Sequence, residues 1–346
     1  MAKIIILGAG AMGSAFSFPC IDRKHDVSIV GTHLEDNFID EINKNKLHPS
    51  LNVKLSDKIK ILKYNDFENI INEKIDLIVI AVSSKGINWV ADQLTIKSKE
   101  KKLPPILLLT KGIGIFNNNY ESLSDKLNRL LINNKFEEIN ISAVAGPCLA
   151  KDLAKKTHTN VIFVNKNIQT INWLIDNLKT NYYYPFLSND LIGVEVCAAI
   201  KNIFSMVLGI SKGMNISNKN TSKENYYLNT SAALMRQSLY EMDLFVNRLN
   251  GLRETVYGLA GLGDLYVSAA GGRNSKMGTF MGEGYTFSEA KKMKMPNETI
   301  EAVELINEIG IKVKNDFHNN ELPLMIGMID AILDNKKFII EWDNFN

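Results

Sequence analysis

An α/β sheet domain followed by a mainly α-helical domain is the fold class this sequence predicts, on three observations. Continuous apolar runs alternate with helix-like segments along the first half, as strands covered on both faces by helices require. The run Ile4-Ile5-Ile6-Leu7 leads straight into a glycine turn, Gly8-Ala9-Gly10-Ala11-Met12-Gly13. After Ser188-Asn189-Asp190, a sequence suited to capping a helix, the segments lengthen and take on helical periodicity. The predicted domains are 1–188 and 189–346.

The glycine turn makes the first domain a Rossmann-type doubly wound sheet, because each glycine answers a separate need. Gly8 permits the tight turn out of the strand, Gly10 leaves bare backbone for a pyrophosphate, and Gly13 lets the following helix pack closely on the sheet. The helix N-terminus then faces the diphosphate charge. A dinucleotide is the ligand this pattern implies. A competing reading takes 4–21, eighteen residues without a charge, as a signal sequence or membrane span. Three glycines and a proline interrupt that run, and a second strand pattern follows at Val27-Ser28-Ile29-Val30. A strand, turn, helix and strand explain both features. No other segment is expected to approach membrane-spanning length, so the chain is expected to be cytoplasmic and without membrane insertion.

Strands are predicted at 3–7, 26–30, 77–82, 106–110, 141–145, 161–164 and 182–186, and helices at 191–210, 232–249, 288–292, 300–309 and 324–333. The polar stretch 215–229, rich in Asn, Ser and Lys, reads as a surface loop. With 40 basic and 38 acidic residues the net charge is +2, which argues against a nucleic-acid partner. Cys20, Cys148 and Cys197 are too few and too scattered for a disulfide framework, and no metal site is expected.

Chemistry is sought first where a charge interrupts an apolar helix. Only Glu195 and Lys201 are charged between Gly193 and Ile210, and Lys201 shares a face with Val194, Cys197, Ala198, Ser205 and Leu208. A lysine there either snorkels to solvent or, desolvated, loses affinity for its proton and becomes useful in proton transfer. The segment Gly258-Leu259-Ala260-Gly261-Leu262-Gly263-Asp264 surrounds a single acid with glycines, and Gly271-Gly272-Arg273-Asn274 follows. Arg273 and Asn274 would open a helix, where amide donors and a guanidinium favour a phosphate; an ordinary turn with a surface salt bridge is the alternative. Thr110-Lys111-Gly112 and Ala145-Gly146-Pro147-Cys148-Leu149-Ala150 follow strands at their C-terminal ends, where open α/β sheets place ligands. Cys148 has no histidine near in sequence to activate it and reads as small-residue filling.

The order of these motifs resembles the NAD(P)-dependent glycerol-3-phosphate dehydrogenase family along nearly the whole chain. Gly8 to Gly13 is similar to its dinucleotide turn, Thr110-Lys111-Gly112 to its K-G loop, and Ala145 to Ala150 to its S-G-P-S-x-A segment. Ala199-Ile200-Lys201-Asn202 resembles its A-[LI]-K-N helix, Asn229-Thr230-Ser231-Ala232-Ala233-Leu234 its N-T-x-A-A-L segment, and Gly261 to Asn274 its G-x-x-D…RN signature.

The resemblance implies NAD or NADP as cofactor and Lys201, Lys111 and Asp264 as the catalytic residues, with Lys201 accepting and donating the proton. It implies substrate contacts from Lys111, Gly146, Cys148, Lys201, Asp264, Gly272, Arg273 and Asn274. Cofactor contacts would come from Gly8, Gly10, Ala11, Met12, Gly13, His33, Lys111, Ala150 and Arg273. The expected activity is interconversion of sn-glycerol 3-phosphate and dihydroxyacetone phosphate, by a chain that takes a small phosphorylated substrate, binds no nucleic acid and forms a homodimer. Two other readings stand beside it: a reductase of another small oxo acid or phosphorylated ketone, and a non-catalytic dinucleotide redox sensor. Several positions depart from the family. Cys148 replaces a serine or threonine, Ala11-Met12 stands where S-W is frequent, and Gly31-Thr32-His33 where a basic residue follows the second strand. No acid ends that strand, Glu35 and Asp36 lying slightly beyond, and the late V-E-G segment has no clear equal near Met293-Lys294-Met295.

Overall fold

The computed structural model describes residues 1–217 and 228–345. They fall into two compact units, Met1–Lys111 with Ser122–Leu191, and Gly112–Glu121 with Ile192–Asn346.

The strands in chain order are β1 (Lys3–Leu7), β2 (Asp26–Val30), β3 (Leu47–His48), β4 (Val53–Lys54), β5 (Lys60–Leu62), β6 (Leu77–Ile80), β7 (Ile106–Leu108), β8 (Ile113–Phe116), β9 (Asn119–Ser122), β10 (Ile141–Ala145), β11 (Thr159–Val164) and β12 (Tyr183–Ser188). Helices α1 (Ala11–Asp22), α2 (Asp36–Asn45), α3 (Phe67–Ile71), α4 (Ile87–Lys97), α5 (Leu123–Asn133), α6 (Ala150–Ala154) and α7 (Ile168–Leu178) belong to the first unit. Its sheet runs β12-β11-β10-β7-β6-β1-β2-β5. Strand order reverses between β1 and β6, the place where such sheets take a ligand beyond their C-terminal ends.

Alternate residues of the central strands serve two cores. Ile4, Ile6, Val27, Ile29, Leu77 and Val79 join Phe16 of α1, Leu153 of α6 and Ile171 of α7 in one cluster. Their neighbours Ile5, Leu7, Ile78 and Ile80 are just as buried. Each such side chain contributes about 1.5–3 kcal/mol relative to exposure, so the alternation is what commits the segment to a sheet covered on both sides.

Six strands from β5 to β10 are parallel, but β11 runs antiparallel to β10 and β12 parallel to β11. The sheet is therefore mixed at one edge. Only α6 lies between β10 and β11, and a helix of five residues is too short to carry the chain back along the strand for a parallel pair. The edge strand β5 was not expected from the sequence, because its three residues are too few to show a period.

In the second unit the helices are α8 (Leu191–Ser217), α9 (Leu228–Arg248), α10 (Arg253–Tyr257), α11 (Asp264–Gly271), α12 (Arg273–Gly282), α13 (Phe287–Lys294), α14 (Glu301–Asp316) and α15 (Pro323–Leu333), with a π-helical turn at Leu259–Gly263 before α11. Part of the expected loop 215–229 is helical: Asn215 to Ser217 continue α8, and Leu228 with Asn229 opens α9. Residues 218–227 lie outside those described. By length and composition Leu191–Ile216 is also long and apolar enough to cross a membrane, contrary to the expectation that no other segment would be, yet 89% of its most apolar window is buried inside the fold. It is the core helix of this unit.

Four glycines let α8 and α12 touch through bare backbone. A Cβ on Gly209 would stand 2.0 Å from the Ser275 carbonyl oxygen and one on Gly213 2.0 Å from that of Thr279. One on Gly278 would stand 1.9 Å from the Met206 oxygen and one on Gly282 2.2 Å from that of Ile210. Residue numbers rise together along both helices, so they run parallel. The N-terminal end of α12 is thereby brought beside the turns of α8 that carry Lys201 and Asn202.

In an isolated helix Gly→Ala gains about 1 kcal/mol, but here the added methyl meets backbone that has no rotamer to change. Gly278→Ala and Gly209→Ala are therefore expected to destabilise the chain by about 3 kcal/mol or more, read from the denaturant midpoint; unchanged or raised midpoints would contradict this packing.

Candidate active site

The glycine turn of the first unit has the geometry its sequence implies. Gly8 sits at φ +106°, and a Cβ on it would stand 2.6 Å from the Ala81 carbonyl oxygen. One on Gly13 would stand 2.2 Å from the Gly8 oxygen, whereas one on Gly10 meets nothing within 4 Å. Gly10 is also the N-cap of α1, whose first turn carries no acid. An open, acid-free helix N-terminus over bare backbone fits the diphosphate of a dinucleotide. Ala11 and Met12 start α1 and pack against the same core as Cys148 and Ala150, the last opening α6, which lies against α1.

Two side chains hold this turn from below and beside. His48 is fully buried; its Nδ1 accepts from the Leu51 amide at 3.2 Å, so its proton is on Nε2, which donates to the Ala9 oxygen at 3.1 Å. Glu35, five residues past β2, folds back so that its Oε2 accepts from the amides of Ala9 (3.2 Å) and Thr32 (2.7 Å). In sequence Glu35 lies slightly beyond the strand end, and the fold brings it back onto the turn. His33 instead packs its ring 5.2 Å from Trp89 and 6.4 Å from Tyr64.

Beyond β7, the Thr110 hydroxyl donates to the Val82 oxygen at 2.8 Å and fixes the start of the Lys111 loop beside the end of β6. Gly146 follows β10 at φ +121°, where a Cβ would stand 3.2 Å from Val161 Cα. Cys148 is half-buried and packs on the core, as filling would.

In the second unit the structure brings together residues from three helices. Lys201 is 7% exposed and Asp264 4%. The Lys201 Nζ donates to Asp264 Oδ1 at 2.7 Å and to the Ser268 hydroxyl. Asp264 reaches it because the π-helical turn, closed by Gly261 against the Val256 oxygen, ends at Gly263 and makes Asp264 the first residue of α11. Lys212 holds the other end of α11, donating to the oxygens of Ala269 (2.8 Å) and Ala270 (3.3 Å). Burial lowers the affinity of Lys212 for its proton.

Gly272 is the N-cap of α12, and Arg273 and Asn274 are its first residues, as expected. Asn274, 5% exposed, donates through Nδ2 to Asn202 Oδ1 (3.1 Å) and Glu301 Oε2 (3.3 Å) and accepts from the Ala302 amide at 3.0 Å. It ties α12 to α8 and to the start of α14. Arg273 pairs with Glu301 at the surface, its side chain 55% exposed. Ser268 and Glu301 carry no expectation from the sequence, and Asn202 enters there only as the last residue of the Ala199-Ile200-Lys201-Asn202 segment. Ser268 is four residues from Asp264 and so on its face of a helix, a usable signal. Ile300-Glu301-Ala302 has the apolar, Glu, small pattern of V-E-G and lies beyond Met293-Lys294-Met295.

A dinucleotide turn at the switch point of such a sheet, with a helical unit that buries a lysine against an aspartate, defines the class of NAD(P)-dependent oxidoreductases. Comparison with known proteins gives the family. Residues 3–171 match the model of the NAD-dependent glycerol-3-phosphate dehydrogenase N-terminus and 190–342 that of its C-terminus. The chain belongs to this family. It is 31% identical over 287 residues, 83% of this chain and 82% of the relative, to an NADP(+)-dependent glycerol-3-phosphate dehydrogenase of Archaeoglobus fulgidus. It is 29% identical, over 90% of this chain and 89% of the relative, to a glycerol-3-phosphate dehydrogenase [NAD(P)+] of Clostridium botulinum. A solved glycerol-3-phosphate dehydrogenase of Coxiella burnetii aligns over 97% of this chain and 96% of its own, with a TM-score of 0.80 and 25% identity.

Two predictions come from these contacts. Removing the Asp264 charge leaves a buried ammonium without its carboxylate, so Asp264→Ala is expected to cost about 3–5 kcal/mol of stability, measured by denaturant titration. His48 and His25 are both held below their ordinary value of 6.5, burial being the main cause. His25 likewise accepts on Nδ1 from the Ala2 amide at 3.0 Å, so its Nε2 contact of 2.7 Å to the Asn177 oxygen carries the proton. Unfolded chains then bind more protons than folded ones. Stability is complete above pH 6.5 and is lost as pH falls through the lowered folded values. The melting temperature should drop between about pH 7 and about pH 5, and a His25→Gln, His48→Gln double variant should flatten that slope.

Proposed function

We propose that this chain interconverts sn-glycerol 3-phosphate and dihydroxyacetone phosphate with NAD or NADP, using Lys201 as the general acid and base. The observation that carries the reading is the buried Lys201 ammonium bonded to Asp264 and Ser268. The cofactor, when bound, supplies or takes up the hydride. In the ketone-reducing direction Lys201 Nζ gives its proton to the carbonyl oxygen as that oxygen gains charge, and recovers a proton afterwards. Asp264 keeps the amine charged and aimed, and Ser268 holds a second of its protons. Lys111 adds positive potential toward the same oxygen, a role that rests on the family resemblance.

Arg273, Asn274 and the backbone after Gly272 receive the phosphate. The Arg273–Glu301 pair is exposed, and such pairs contribute only about 0–1 kcal/mol, so a phosphate offering a bidentate, charge-assisted contact displaces Glu301 readily. Gly146 and Cys148 line the substrate side and Ala150 the cofactor side, again on the resemblance. Family membership and the Lys201–Asp264 pair leave the readings as another ketone reductase or as a redox sensor without support; a sensor has no use for a proton donor. A cytoplasmic homodimer is the setting we propose, on the same resemblance.

The test follows NADH and NADPH consumption by the purified chain with dihydroxyacetone phosphate and with unphosphorylated dihydroxyacetone. Turnover is expected only with the phosphorylated ketone, and Arg273→Ala should raise KM by about 100-fold or more, the loss of a charge-assisted bidentate contact. Equal use of both ketones, or a mild effect of Arg273→Ala, would overturn the assignment of the phosphate site.

A further inference from the structure

The two dinucleotides differ only by a phosphate on one ribose hydroxyl, and Glu35 stands at the end of the sheet where that ribose is read. We propose that Glu35 makes this chain select NAD(H) over NADP(H), an inference that rests on the dinucleotide reading of the glycine turn. In Rossmann sheets a carboxylate past the second strand accepts from the 2′-hydroxyl, whereas an arginine receives the 2′-phosphate. The sequence puts no acid at the end of β2 itself, Glu35 and Asp36 being the first acids beyond Val30. The fold supplies one by another route. Glu35 turns back onto the glycine turn and is fixed there by two amides of different segments, Ala9 and Thr32.

Both amides go to Oε2. Among the described residues Oε1 has no hydrogen-bond partner, and no lysine, arginine or histidine pairs with this carboxylate. One oxygen is therefore locked and the other is open to a hydroxyl donor. Two lysines of the neighbouring segments already have partners. Lys63 is bound to Asp40 at 2.7 Å, and Lys97 lies 3.8 Å over the Tyr64 ring. No arginine occurs between Arg23 and Arg129, and Arg23 is held by the oxygens of Asp176 and Asn177. A 2′-phosphate would meet the fixed negative charge of Glu35, while a 2′-hydroxyl would meet an acceptor.

The test is direct binding of NADH and of NADPH to the full chain, without substrate, by fluorescence titration at low and high salt, for the natural sequence and for Glu35→Gln. NADH is expected to bind about tenfold tighter or more, the size of one partly screened like-charge contact. Raising the salt to about 0.5 M should narrow the ratio, an effect that a merely structural Glu35 would not produce. Glu35→Gln keeps an oxygen for the Ala9 and Thr32 amides, so its melting temperature should stay close to that of the natural chain while its NADH/NADPH ratio falls toward one. Equal or tighter binding of NADPH by the natural chain overturns the proposal, whether or not the variant folds. So does a ratio indifferent to both salt and Glu35→Gln. Binding of neither dinucleotide removes the reading of the turn along with it. A clear NADH preference without turnover of dihydroxyacetone phosphate would support this inference and refute the proposed reaction.

Discussion

One buried ion pair, Lys201 with Asp264, sets the terms for the rest of the helical unit. Taking an ammonium and a carboxylate out of water costs several kcal/mol each, and their attraction repays it only when the geometry is close and the remaining protons and lone pairs find partners. The fold provides these conditions with backbone rather than with extra charge. Glycines at 209, 213, 278 and 282 bring α8 and α12 into contact without intervening side chains, and the π-helical turn before α11 ends so that Asp264 faces the amine. Ser268 completes the cluster and Lys212 fastens the far end of the same helix. A pair held this way ties α8 to α11 and keeps both partners dry and in register.

The sheet unit solves a related problem with the opposite chemistry. A phosphate-binding turn must leave backbone amides unused on its ligand side and still satisfy those on its protein side. Gly10 is the open face. The Ala9 amide and carbonyl, one residue earlier, are taken by Glu35 and His48. The bare surface offered to a ligand and the saturated surface beneath it are thus one residue apart.

Much of this was legible in the sequence where a single residue type broke a pattern. Lys201 is one of two charges in an apolar helix, Asp264 the one acid among glycines, and Arg273 with Asn274 follows a pair of glycines at a helix start. Apolar runs placed most of the sheet for the same reason. What escaped had no local signature. Glu35 lies five residues beyond its strand, and only the fold turns it back. Glu301 carries the right neighbours but stands six residues beyond Met295. The four close-packing glycines show their i, i+4 spacing in each helix, yet nothing in either segment says that the two rows face each other. The antiparallel edge of the sheet likewise follows from the shortness of α6, which strand patterns do not reveal.

The measurement that bears most directly on this account is turnover of dihydroxyacetone phosphate by Lys201→Met, set beside Lys201→Met, Asp264→Asn, in which the stranded carboxylate is also neutralised. NADH affinity should stay within about twofold of the natural chain in both, since the dinucleotide turn belongs to the other unit. The double variant should regain the stability lost by the single one, and neither should turn over at more than about one part in a thousand of the natural rate. Substantial turnover by the well-folded double variant would show that the proton comes from elsewhere, and Lys201 would then be only a core lysine.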